Sequence, residues 1–96
     1  METRVAVISI IVEEEEAVTR VNGLLHTYAR YIIGRMGIPY RTRQVNLICV
    51  AMDAPGDVIN ALTGGLGRIR GVTAKAAYGP VQPARGGPAS ADHPDK

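Results

Sequence analysis

Few side chains in this 96-residue chain could do chemistry, and none stand at the spacing that metal or nucleophilic chemistry usually needs. The ligand-type residues are His26, His93 and Cys49, and no HxH, CxxC or HExxH pattern joins them. His26, on a predicted helix, is the best single candidate for a metal ligand; the helix dipole also favours a histidine near a C-terminus without any metal. Cys49 in mid-strand reads as an inert buried thiol, and His93 lies in a polar tail. Glu13 to Glu16 form an acidic run that a helix N-terminus explains by charge complementarity. Residues 64–71, Gly-Gly-Leu-Gly-Arg-Ile-Arg-Gly, superficially resemble a phosphate loop, but they follow a helix and break the GxGxxG register at Arg70, so they read as helix termination and a turn. With two histidines, no Ser/His/Asp or Cys/His set can be assembled. These residues predict no enzyme and imply no particular cofactor.

The remaining candidate is Tyr31-Ile-Ile-Gly-Arg-Met-Gly-Ile38, a predicted strand with two glycines three residues apart. Strict alternation puts Ile32, Gly34, Met36 and Ile38 on the core face and Tyr31, Ile33, Arg35 and Gly37 on the other. Gly34 and Gly37 then leave a gap on each face, where backbone, a ligand or a neighbouring subunit could approach. Arg35 would be a cation on an otherwise buried sheet face and must pair, either with a carboxylate across an oligomer interface or with an anionic effector. Gly34, Arg35, Gly37 and Tyr31 are therefore the candidate ligand or interface residues.

The elements that would position them follow from periodicity. Residues 4–12, Arg-Val-Ala-Val-Ile-Ser-Ile-Ile-Val, are a β-branched run apolar at both parities, a strand buried on both faces. Ala17, Val18, Val21, Leu24, Leu25 and Tyr28 form the stripe of an amphipathic helix beginning in the acidic run. Pro39 to Arg43 make a polar hairpin connection, and Val45 to Met52 a third strand, again mostly apolar at both parities. Asp53 or its neighbour caps a second helix with Pro55 in its first turn; its stripe is Val58, Ile59, Leu62 and Leu66, and it loosens at Gly64-Gly65 and stops by Gly67. Gly71 to Tyr78 is the fourth strand, and residues 79–96, rich in Pro and Gly, form a disordered tail.

The order strand, helix, strand, strand, helix, strand predicts an α+β, ferredoxin-like βαββαβ sandwich over residues 1–78, with a four-stranded antiparallel sheet and two helices on one face. The apolar residues at both parities say that the bare face is not wet, which predicts a homo-oligomer, dimer or tetramer, through the sheet. A net charge of +2 with only Arg41 and Arg43 clustered argues against direct nucleic-acid binding. One cysteine fits a reducing cytoplasm, no signal peptide starts the chain, and no apolar run is long enough to cross a bilayer.

Four segments carry a resemblance: Arg4 to Glu13, Val21-Asn-Gly-Leu-Leu-His-Thr-Tyr28, Tyr31 to Tyr40 and Asp53 to Leu62. Together they are similar to the iron-only hydrogenase system regulator family over about residues 4–78. The resemblance implies a small domain related to ACT domains and to the C-terminal domain of nickel-responsive regulators, acting as a non-catalytic, oligomeric ligand-sensing or protein-interaction module in an anaerobic bacterium, with a small-molecule effector as one class of partner. A second implication is a nickel- or iron-responsive transcriptional regulator component using His26. Two departures count against it: no ribbon-helix-helix segment precedes the first strand, and the histidine and cysteine ligand pattern of the nickel regulators is absent.

Overall fold

The computed structural model describes residues 2–80 and the backbone of residues 82–83. The chain runs β1 (Glu2–Val12), α1 (Ala17–Thr27), a 3₁₀ turn (Ala29–Tyr31), β2 (Ile32–Tyr40), β3 (Val45–Ala54), α2 (Gly56–Gly67), β4 (Val72–Tyr78) and the two-residue β5 (Gln82–Pro83). The sheet order is β2-β3-β1-β4, antiparallel throughout, and β5 adds to β1 at Glu2 and Thr3. This is the four-stranded ferredoxin-like arrangement expected from the element order. Apart from Gly79, Pro80 and the β5 backbone, the predicted disordered tail falls outside the described residues.

The β-branched residues of β1 favour extended backbone, and alternation then sorts them. Ala6, Ile8, Ile10 and Val12 are buried with Ile48, Val50, Met52 and Ala54 of β3, and against them pack Val21 and Leu25 of α1 and Ile59, Leu62 and Leu66 of α2. Both helices thus cover the even-numbered face of β1. The odd-numbered residues point the other way.

Three local details differ from the sequence reading. Helix α1 starts at Ala17, after the acidic run: the Ala17 and Val18 N–H groups donate to the Glu14 and Glu15 carbonyls at 2.9 and 3.1 Å, so the glutamates form the turn that leads into it. Asp53 belongs to β3 and caps nothing; Pro55 is the N-cap of α2, its carbonyl accepting from Val58 at 3.0 Å and Ile59 at 3.2 Å. Nor does α2 loosen at Gly64-Gly65; it continues unbroken to Gly67, the end that the sequence predicts. A side chain at Gly65 would begin 3.1 Å from Leu24 Cδ2, so this glycine serves the close approach of α1 rather than a break.

The turn into β4 is held at Gly71, whose φ of 81° lies in the left-handed region. Its carbonyl accepts from Glu13 N–H at 2.7 Å, and an added Cβ would stand 2.7 Å from Glu14 Cγ, while the Glu14 carboxylate reaches Arg70 at 3.7 Å. Gly71→Ala therefore strains the backbone and pushes Glu14 aside together. A loss of about 1–2 kcal/mol is expected in urea unfolding, and an unchanged midpoint would contradict the assignment.

At the far end, Gly79 N–H donates to the Val5 carbonyl at 2.7 Å, and Arg4 donates from Nε to the Gly79 carbonyl at 3.1 Å with its guanidinium 4.6 Å over the Tyr78 ring. The Tyr78 hydroxyl donates to Asn60 Oδ1 of α2. These contacts fasten the end of β4 to both the sheet and the helix layer.

Candidate functional site

Strand β2 decides where the candidate residues point. Its register with β3 shifts between Ile32 and Gly34, a β-bulge next to the first glycine. Ile32 pairs with Met52 on the helix-covered face and packs against the core. After the bulge Gly34 pairs with Ala51, Met36 with Cys49 and Ile38 with Leu47, all on the uncovered face. Arg35 pairs with the fully buried Val50, and Gly37 with Ile48, on the helix side. The expected face assignment is thus reversed from Gly34 onward: Met36 and Ile38, read as core, are exposed, and Arg35, read as the cation of the bare face, stands beside α1. Slipping one residue exchanges every side chain between faces, and the bulge supplies that slip.

Arg35 finds its partner within its own chain. Its Nη2–H donates to Asn22 Oδ1 of α1 at 2.9 Å, where a carboxylate across an interface or an anion was expected. Beneath the pair runs a groove of about 250 Å3 between α1 and the outer part of β2 and β3. Asn22, Arg35 and Asn46 supply its polar side chains; Val18, Pro39 and Ile48 are among its apolar walls. Gly37 opens it, since a Cβ there would meet no atom within 4 Å. Gly34 lies on the opposite face, and Tyr31, in the 3₁₀ turn, is half-buried against the core with Arg30 stacked 5.2 Å over its ring. Of the four candidates the structure brings together Arg35 and Gly37. The sequence reading missed Asn22 and Asn46, which lie on other elements; Gly34, a glycine inside a strand, was the available signal for the bulge.

The uncovered sheet face is the second feature. Ile38, Leu47 and Ile11 lie side by side across three strands, and the next rows hold Met36 with Cys49 and Ala51 with Val7. Met36, Ile38 and Val5 are about half exposed, at 59%, 49% and 52%. Lys75, paired with Ser9, and Asp53, paired with Val5, bring charge to this face. A shallow depression of about 190 Å3 lies between Ser9, Met36, Leu47 and Cys49. Cys49 is half-buried there rather than enclosed in the core.

His26 is exposed in the last turn of α1. Among the described residues no group of three or more His, Cys, Asp or Glu side chains is placed to hold a metal ion, so His26 has no companion ligands of that kind there. No helix of the described residues is long and apolar enough to cross a membrane.

Residues 4–76 match the TM1266-like family, described as "Iron-only hydrogenase system regulator, putative". The chain belongs to this family. Among solved structures 16 chains match. One is the uncharacterized protein TM1266 from Thermotoga maritima, 35% identical, with 79% of this chain and 96% of that chain covered and a TM-score of 0.76. No curated protein matches. The family match spans β1 through most of β4, and so includes both the Arg35 groove and the uncovered face.

Proposed function

We propose that this family member is an oligomeric, non-catalytic ACT-like regulatory module of an iron-only hydrogenase system, joining copies through its uncovered sheet face and sensing a ligand or docking a partner protein. The observation that carries the oligomer is the apolar surface continuous over β2, β3 and β1, from Ile38 through Leu47 to Ile11. Such a surface is costly to leave in water, and a two-fold axis would set it against the same patch of a second copy. Within the chain, residues 84–96 hold no apolar side chain larger than alanine or proline, so their composition is ill suited to covering it. A second copy offers the same aliphatic face. The family description supports the regulatory role, and a single cysteine fits a reducing cytoplasm.

Sedimentation equilibrium over a range of concentrations tests the assembly, with a dimer or tetramer mass expected. The melting temperature should rise with concentration, because association stabilises the folded state by mass action. A monomer mass at every concentration would overturn the oligomeric reading.

A further inference from the structure

We propose that the groove between α1 and β2 is a binding site for a small carboxylate with a short aliphatic body, recognised by Arg35, Asn22 and Asn46. The proposal names the ligand class within the sensing reading given above and rests on that reading. Three polar side chains from three different elements line this one groove, with apolar residues between them. That composition, a few polar groups in a mostly apolar concavity, is characteristic of small-molecule sites.

The chemistry of the lining selects the ligand. Among the described residues that line the groove Arg35 is the only charged one, and no acid accompanies it there. A guanidinium carries five N–H donors; the contact to Asn22 Oδ1 uses one and orients the group. The same contact leaves the Asn22 amide donors free of that bond, and Asn46 adds another carboxamide. Guanidinium and carboxamide donors match a planar carboxylate, to which arginine can bind through two parallel hydrogen bonds. Without an acid in the lining, a ligand ammonium group would gain no ion pair. Val18, Pro39 and Ile48 provide contact for a short aliphatic body in a groove of about 250 Å3.

Gly37 gives the site an unusually clean test. Its φ is not positive and a Cβ there would meet nothing within 4 Å, so a β-branched residue fits the strand while filling the groove. Sodium valerate is the probe, and valeramide, of the same shape without charge, is the control. Amide NMR titration of the wild type should give saturable valerate shifts at Asn22, Arg35 and Asn46, and valeramide should give none. Arg35→Gln should weaken valerate about tenfold or more, the scale of a lost charge-assisted hydrogen bond. Gly37→Val should abolish binding with the melting temperature unchanged or raised. Equal response to valeramide, valerate binding to Gly37→Val as to wild type, or no saturable shift at all would each overturn the proposal. If Gly37→Val does not fold, Arg35→Gln and valeramide still decide it. Sedimentation of the same samples separates the two readings, since loss of valerate binding with an oligomer mass removes only the ligand class.

Discussion

If copies join through the uncovered face as proposed, Ile11→Lys should yield a folded monomer, weakening association by at least about a hundredfold. Ile11 lies on the uncovered face in the row it shares with Leu47 on one side and Thr73 on the other, and is 40% exposed in the single chain. A lysine there would carry its ammonium into an aliphatic contact. Removing such a charge from water without a partner costs several kcal/mol, whereas about 3 kcal/mol already exceeds a hundredfold in association constant. The fold itself should survive, because the side chain returns to solvent once the copies separate. Sedimentation should report a monomer, the melting temperature should lose its concentration dependence, and Arg43→Glu in the β2–β3 turn should leave assembly unchanged. An Ile11→Lys protein that keeps the oligomer mass would place the interface elsewhere.

Three residues earlier on the same strand, on its other face, the expectation concerns folding instead of assembly. Ile8 is fully buried, paired with Val50 and Ala76 and covered by the helix layer. Ile8→Ala should cost about 2–5 kcal/mol, the transfer of three lost carbons plus the cavity they leave. For a domain of this size that is a large part of a stability of order 5–15 kcal/mol. Measured in the Ile11→Lys monomer, the loss should be the same, while Val7→Ala, at a position 38% exposed, should cost about 1 kcal/mol or less. Equal losses at positions 7 and 8 in that monomer would mean that the two faces of β1 are not distinguished as described.

Val7 and Ile8, adjacent and on opposite faces, illustrate what could be read in advance. Strand β1 is apolar at both parities, so the sequence predicts two dry faces without saying which lies under the helices. The helices are clearer, because a 3.6-residue period leaves one stripe: Val21 and Leu25 of α1, and Ile59, Leu62 and Leu66 of α2, are buried as predicted. Boundaries were harder to read. Pro39, expected to begin the hairpin connection, lies inside β2, which an edge strand tolerates because its outer side needs no donor. The acidic run before α1 has good composition for a first turn and yet forms the turn preceding it.

The sequence by itself determined the order of elements, the apolar stripes of both helices and the apolar character of both sheet faces, all of which rest on local periodicity and turn chemistry. Only the tertiary structure decided which face each residue of β2 occupies. Both alternations of that strand carry isoleucine, so local pattern does not pin its register; pairing with β3 does, and the bulge between Ile32 and Gly34 moves everything after it by one position. Arg35 thereby leaves the face expected to join copies and meets Asn22 on α1, which the chain alone could not announce because the two are brought together by packing across 13 residues of sequence.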